Sequence, residues 1–484
     1  MSTSAAKLLN TFAEQFSRSD LTAYLSEGLI GEGVKIPGIN GPQTLIYADY
    51  VASGRALQQV EDFVLNEVLP YYANSHTEAS FCGQFMTQLR HSSRQTIAQL
   101  CGADSRHAVV FTGAGATAGL NRLVHLLGVN QPQVNQQAPL VIIGPYEHHS
   151  NILPWRESGA QVVELQEAAQ GGPDLAQLGE LLKANAGRLI VGSFSAASNV
   201  TGIKTNVAAV TRLLKSHGAL SVWDYASGAP YMNINMAAGT DAEIDAVVVS
   251  PHKFIGGPGA SGVMIVRTAA VTATTPTIPG GGTVSFVSPW NHHYSKSIVA
   301  REEAGTPNVV GDIRAALCFI VKAAIGQDNF DKRLEQLRQR ALAVWSHNPN
   351  LTILGNPKAH DRLPIFSFQI HEPNTGALVH QQLITRILSD IYGIQARGGC
   401  ACAGPYAHRL LAIDQPSSDE LKEAILQGEE IQKPGWTRLS FSVLMSDAKA
   451  DRIIAAVDQL ANNPGQYNNA YQVDELTARF SLAS

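Results

Sequence analysis

The stretch Ala246–Arg267, AVVVSPHKFIGGPGASGVMIVR, decides the fold. It begins with one apolar run, Ala246-Val247-Val248-Val249, and ends with another, Gly262-Val263-Met264-Ile265-Val266. Short, continuous runs rich in valine and isoleucine mark strands buried on both faces, where no polar alternation is needed. Between them, Gly256, Gly257, Pro258 and Gly259 suit a wide loop that turns the chain back. At the carboxyl end of the first strand (Ala246–Ser250), Ser250-Pro251-His252-Lys253 brings a lysine to the edge of the core. A buried amine is costly, and a Schiff base to an aldehyde is one reason for it to be there. The plainer reading is a lysine on a surface loop.

Working back toward the amino terminus, the same kind of run recurs at Ala108–Thr112, Leu140–Ile143, Leu189–Phe194 and Leu220–Asp224. Stretches with helical spacing lie between them at Gly115–Leu127, Asp174–Asn185 and Val207–His217. Strand–helix alternation predicts an α/β architecture, a mostly parallel sheet with helices on both faces. Such sheets bind ligands at the carboxyl ends of their strands, so the turns there carry the interest. Gly113-Ala114-Gly115-Ala116-Thr117 follows the first strand, with small residues that let backbone N–H groups approach an anion at a helix start. Taken alone it is equally a tight turn. Asp224 ends another strand, either as a helix cap or as the partner of a protonated nitrogen.

Working forward, the pattern changes after about Asp312. A helix is predicted near Asn329–Trp345, strands at Leu351–Leu354 and Pro364–Gln369, and a helix near Ala377–Tyr392. A Gly/Cys-rich turn at Gly398–Gly404, a strand at Thr437–Ser442 and a helix at Ala448–Leu460 follow. This is a smaller α+β unit, and the acidic segment Asp414–Lys433 reads as an insertion into it.

The 484 residues are 45% apolar and 15% charged, with a formal net charge of -5. That is ample for a large core, and the mildly acidic balance speaks against a nucleic-acid binder. A short amphipathic helix rather than an apolar leader is expected within residues 1–20, because Lys7, Glu14, Arg18 and Asp20 interrupt them. The five cysteines, Cys82, Cys101, Cys318, Cys400 and Cys402, include no CxxC pair. No metal site is expected, and a cytoplasmic, reducing setting is.

In this order and at this spacing the turns resemble the class V aminotransferases of fold type I, which depend on pyridoxal 5'-phosphate (PLP). Within that family the resemblance is to group II cysteine desulfurases and selenocysteine lyases, and it runs from about Tyr47 to Leu460. It implies a large PLP-binding domain over 45–325 with a mostly parallel seven-stranded sheet, and a small domain from 1–44 and 326–484. Phe111–Thr117 is similar to the family's phosphate turn, implying cofactor contacts from Gly115, Ala116 and Thr117. Glu147-His148-His149-Ser150-Asn151 resembles its EHH segment, with His148 stacked on the cofactor ring, and Ser198–Gly202 resembles a segment in which Asn199 meets the ring hydroxyl or the substrate. Asp224 falls on the acid that faces the pyridine nitrogen. Ser250, His252 and Lys253 fall on the SxHK motif, as two phosphate ligands and the Schiff-base lysine. Glu303–Asn308, EAGTPN, matches a segment whose Thr306 reaches the phosphate of a neighbouring subunit, which implies a homodimer with shared sites.

Farther on, Arg397-Gly398-Gly399-Cys400-Ala401-Cys402-Ala403 is similar to the group II R-x-G-x-x-C-A segment, and its spacing puts the nucleophile at Cys402. Arg438 falls on the arginine that grips the substrate carboxylate, with Arg397 beside it. Two positions depart from the family. Ser227 stands where desulfurases carry Gln, in the cofactor-contacting position, and Cys400-Ala401 replaces a His-His pair. The implied reaction is removal of sulfur from L-cysteine to give alanine and a Cys402 persulfide, which a sulfur-acceptor protein then unloads. The departures keep a second reading open: aminotransfer, epimerisation or C–S lysis of an amino acid, with Cys402 as a packed thiol. His149 is read as a packing residue or as one that supports the residues lining the site, and His292 and His293 as a loop over the site mouth.

Overall fold

The computed structural model describes residues 5–74, 78–131 and 137–483. Its centre is a seven-stranded sheet of β1 (His107–Gly113), β2 (Leu140–Ile143), β3 (Gln161–Glu164), β4 (Ile190–Ser195), β5 (Leu220–Asp224), β6 (Ala246–Val249) and β7 (Gly262–Arg267). The spatial order is β1-β7-β6-β5-β4-β2-β3. All pairs are parallel except those of β7, which runs antiparallel to both neighbours. The wide glycine loop after Lys253 explains this: it returns the chain directly, whereas every other link is a crossover.

Six of the seven strands are the apolar runs read in the sequence. The seventh, β3, is an edge strand with no fully buried residue, so it carries no comparable run. Within the sheet, Phe111, Ile142, Trp223, Val247 and Ile265 bury on one face and Val110, Val141, Val222, Val248 and Met264 on the other. Each fully buried side chain of this size contributes about 1.5–3 kcal/mol. This two-sided burial is why the strands are continuously apolar. The register sets Ser195 opposite Asp224 and Asp224 opposite Val248, so the carboxyl ends of the three central strands form one ledge.

Helices cover both faces. The predicted ones appear as Gly115–Leu126, Leu175–Ala184 and Val207–Ser216. Two long helices, Phe81–Leu100 and Val309–Ile325, were not foreseen. The second is buried nearly all round, so it has no polar face to give it a readable period; the change of pattern near Asp312 falls inside it. Helix Ala5–Glu14 buries Leu9 and Phe12 in the cluster that also holds Met86, Ile313 and Leu317.

A second, antiparallel sheet has the order β8-β9-β11-β10, built from β8 (Leu351–Ile353), β9 (Ile365–Ile370), β10 (Arg397–Gly399) and β11 (Trp436–Ser440). Helices Gln327–Trp345, Gln381–Tyr392 and Asp447–Asn462 pack on it around Trp345, Phe366, Phe368 and Phe441. The segment 414–433 contains a helix, Gln415–Leu426, capped by Asp414 through the Ser417 N–H. Near the amino terminus, Ile46–Tyr47 pairs in parallel with Ile394–Gln395, and Asp49 bridges to Ser440. No helix among the described residues is long and apolar enough to cross a membrane.

Candidate active site

The strand ledge opens into a cavity of about 270 Å³, walled on its far side by the second sheet. Gly115, Ala116, Thr117, His148, Asn199, Asp224, Ser227, Ser250, His252, Lys253, Arg397, Cys402 and Arg438 all line it. Thr306 does not; it is exposed, on a loop outside this cavity. His292 and His293 lie on an exposed hairpin and do not line it either.

At one end, the helix that follows β1 starts beneath Ser250. The Ala116 N–H donates to Ser250 Oγ at 2.9 Å, and Thr117 Oγ1 and Ser150 Oγ are 2.7 Å apart. Gly115 has φ 61, and a Cβ there would lie 2.9 Å from Ser250 Oγ and 3.1 Å from His252 Cε1. The turn is therefore glycine for two reasons, its left-handed backbone and the close approach. Backbone N–H, hydroxyls and a helix start together make an anion cradle.

At the floor, Lys253 follows β6 in a short 3-10 turn. Burial lowers its pKa to about 8, and Arg438 and Arg397 push the same way while Asp224 opposes them. Asp224 is buried and its pKa is raised, mainly by that burial; the Ala226 N–H, at 2.7 Å, and the Lys253 charge pull it back. No salt bridge to Asp224 is formed among the described residues, so this carboxylate has room for a cationic partner. Among the described residues, Asn199 Oδ1 and Arg438 Nε are also buried without a hydrogen bond. Buried polar groups are rarely left so, and both belong to residues that line the cavity.

His148 forms part of one wall. Its Nδ1 accepts from the Ser150 N–H at 3.1 Å, which leaves Nε2 as the N–H of the neutral ring. Burial, then the Lys253 charge, lowers its pKa to about 4. The turn that carries His148 is anchored by Glu147 and Asn151, and the Asn151 N–H donates to His148 O at 2.8 Å. Glu147 accepts from Ser195 N, Ser195 Oγ and Asn151 Nδ2, and Asn151 Oδ1 accepts from Trp155 Nε1. Burial pushes the Glu147 carboxyl up to about 7.

Cys402 enters from the second sheet. Cys400 to Ala403 form a tight turn, closed by Ala403 N–H to Cys400 O at 3.2 Å, whose central residues Ala401 and Cys402 have φ 54 and 55. Left-handed backbone in a residue with a Cβ costs about 1–2 kcal/mol. The large sheet's loops hold it in place: Asn199 Nδ2 donates to Ala401 O, the His149 N–H donates to Cys402 O, and His149 Nε2 accepts from the Gly404 N–H. Cys402 is exposed at the cavity. Cys400 lines a different, largely apolar cavity of about 320 Å³ beside helix Gln415–Leu426. His149 thus holds the cysteine turn, the supporting alternative of its two readings.

Sequence reasoning missed Asp49, whose carboxylate bonds Arg397 Nε at 3.0 Å and Arg438 Nη2 at 3.1 Å. One signal was available: like Asp224, it follows a short apolar run, Ile46-Tyr47-Ala48. Glu147 and Asn151 were quoted without a task, which the network above supplies.

The fold and this cavity define a class. The chain belongs to the Aminotransferase class-V family, whose pattern matches residues 46–453. Among curated relatives, a probable cysteine desulfurase of Vibrio cholerae is 27% identical over 423 residues, covering 87% of this chain and 94% of the relative. The cysteine desulfurase CsdA of Escherichia coli is 28% identical over 398 residues, covering 80% and 86%. Among solved structures, the apo cysteine desulfurase of Thermococcus onnurineus superposes with a TM-score of 0.71 at 23% identity, covering 86% of this chain and 95% of that one. At that identity the superposition speaks for the fold alone.

Proposed function

We propose that this protein is a PLP-dependent cysteine desulfurase, taking sulfur from L-cysteine to give alanine and a persulfide on Cys402. One observation carries the reading: Cys402, Lys253 and the carboxylate-binding pair Arg397 and Arg438 line a single cavity, although Lys253 follows a strand of the first sheet and the other three lie on or just beyond strands of the second. The relatives named above support it.

The residues fit the cofactor. Ala116 N–H, Thr117, Ser250 and His252 would hold the phosphate in the cradle that Gly115 keeps open. Asp224 would face the pyridine nitrogen, as a buried carboxylate still without a cation. Asn199 Oδ1 would accept from the ring hydroxyl, and Ser227 would lie beside the ring next to Asp224. His148 would stack above it, and Lys253 would take the aldehyde. Bound there, PLP supplies a sink for negative charge at the substrate Cα.

The chain's own groups do the rest. Arg438 and Arg397 hold the substrate carboxylate. Lys253, with its pKa near 8, is matched to taking the Cα proton near neutral pH. The neutral His148, with its proton on Nε2, is placed to donate. The Cys402 sulfur attacks the substrate sulfur; that S–S bond forms as the C–S bond breaks, and the carbon fragment leaves as alanine after gaining a proton. L-cysteine plus the Cys402 thiol equals alanine plus the persulfide, so no oxidant is needed. A sulfur-acceptor protein or thiol then unloads Cys402.

A homodimer completes the proposal, with Thr306 serving the cradle of a second copy. Thr306 is exposed, and the nearby hairpin carries exposed Phe286, Val287 and Trp290, an apolar face of the kind subunit contacts cover. The five cysteines are all free, in keeping with a reducing, cytoplasmic setting.

The test compares wild type with Cys402→Ala, both loaded with PLP, for sulfide and alanine formed from L-cysteine with a reductant. Equal sulfide and alanine from wild type, and neither from the variant, is the expected result. Equal release from both proteins would remove Cys402 from the reaction and favour a C–S lyase.

A further inference from the structure

Asp49 is among the least exposed charged side chains of the protein, and its position is over-determined. Its backbone pairs with Ser440, two residues beyond Arg438 along β11, and the Ser440 N–H donates to the neighbouring Ala48 O at 2.7 Å. Two residues on, the Val51 N–H donates to Ser440 Oγ at 3.1 Å. The Asp49 carbonyl accepts from the Ala52 N–H at 3.0 Å and from Tyr47 OH at 3.3 Å. The carboxylate therefore has one place to be, and there each oxygen serves a different arginine: Oδ1 takes Arg438 Nη2 and Oδ2 takes Arg397 Nε.

The two arginines differ in what remains. Arg438 is 4% exposed, and its Nη1 is spent on Asn199 O at 3.1 Å. Arg397 is half-exposed and, among the described residues, bonds only through Nε, which leaves its terminal nitrogens for a ligand. Both line the cavity. Two guanidinium charges and one carboxylate leave this wall with one net positive charge. On the opposite side of the cavity, Lys253 would be taken up by the aldehyde and Asp224 would face the pyridine nitrogen, so neither adds a free charge.

From this arrangement we infer that Asp49 sets the substrate class: it fixes the two arginines and cancels one of their charges, so that the cavity receives one carboxylate and disfavours an amino acid with a second anionic group. One carboxylate neutralises the wall; a second finds no free cation there and loses its water on entering. This rests on the amino-acid chemistry proposed above, and it goes beyond the carboxylate grip of Arg438. Asp49 acts through the arginines and is a positioning residue.

The test is a binding measurement that needs no turnover. The PLP-loaded protein is titrated calorimetrically with L-alanine, which has one carboxylate, and with L-aspartate, which has two. Wild type should favour L-alanine. In Asp49→Asn, which keeps the shape and removes the charge, the ratio of the two dissociation constants should move toward L-aspartate by about tenfold. In Arg397→Gln, which leaves Asp49 to cancel Arg438, the ratio should move the other way. Asp49→Glu, which keeps the charge with altered reach, should weaken both ligands and leave the ratio near that of wild type. A purely structural part for Asp49 would change both affinities together. Ratios within twofold of wild type in Asp49→Asn and Arg397→Gln would overturn the inference; if Asp49→Asn does not fold, Arg397→Gln decides alone. Binding that follows this pattern without sulfide release from L-cysteine would keep the inference and sink the desulfurase reading. A wild type that takes up no PLP would overturn both.

Discussion

Replacing Gly115 with alanine tests the anion cradle, and Gly113 provides its internal control. Both glycines have left-handed backbone, with φ 61 and 77. An alanine at either carries about 1–2 kcal/mol of backbone strain, partly offset by about 0.4–1 kcal/mol from a stiffer unfolded chain. They differ in what the new Cβ meets. At Gly113 nothing lies within 4 Å, whereas at Gly115 the Cβ would sit 2.9 Å from Ser250 Oγ. Ser250 must rotate away, and the buried Ala116 N–H then loses its 2.9 Å acceptor. Losing one such bond in a buried setting costs about 1–3 kcal/mol, roughly 5- to 150-fold in affinity for a phosphate-bearing ligand that shares the cradle. The assay is titration of the apo-proteins with PLP by visible absorbance, beside denaturant unfolding of the same samples. Gly113→Ala should lose on the order of 1 kcal/mol of stability, Gly115→Ala about 1–3 kcal/mol more for the lost bond, and only Gly115→Ala should lose PLP affinity. Equal PLP affinity in Gly115→Ala and Gly113→Ala would refute the reasoning, because the close approach would then have no bearing on the cradle.

Further outcomes at three residues rest on the same geometry. Lys253 must be neutral to take an aldehyde, and its pKa is lowered to about 8; the rate of PLP uptake by the apo-protein should climb about tenfold per pH unit below 8 and level off above it. The unfolded chain holds that proton more tightly, so apo-protein stability should also rise with pH from about 8 toward the ordinary lysine value of 10.5. Glu303 accepts from Arg90, Arg94 and the Phe111 N–H, and Glu303→Ala leaves two largely buried guanidiniums short of a partner, which should cost about 3–5 kcal/mol in denaturant unfolding. Because the arginines lower the Glu303 pKa against the opposing effect of burial, its contribution is complete above the unfolded carboxyl pKa and should fade as pH falls through the folded one. His149→Ala removes the acceptor of the Gly404 N–H and loosens the strained Cys402 turn; it should lower kcat for alanine formation about tenfold while PLP affinity stays near wild type, measured side by side.

Much of the site was legible because its pieces are local. A buried strand must be apolar over four to six residues, and the turn that ends it must supply glycine, a hydroxyl or a charge within the next few positions; β1, β5 and β6 each meet both conditions in contiguous sequence. Gly115, Ala116, Asp224, Ser250 and Lys253 could therefore be placed at one end of a sheet before any coordinates. Elements without a period escaped, as the edge strand Gln161–Glu164 and the all-round apolar helix Val309–Ile325 did.

By itself, then, the sequence determined the α/β order, the ledge of strand ends and the identity of the groups on it, because each depends on burial and turn chemistry over a handful of neighbouring residues. The tertiary structure decided what depends on distant segments meeting. Asp49 lies 348 residues from Arg397 and 389 from Arg438, and no local pattern announces that its carboxylate bridges them. Cys400 and Cys402 differ by one residue in a near-symmetric motif, yet a turn with two left-handed residues, held by His149 and Asn199, turns one thiol to the main cavity and the other to a separate one. The strain of that turn is tolerated only because contacts from the other sheet's loops oppose it, and such contacts exist only once the chain has folded.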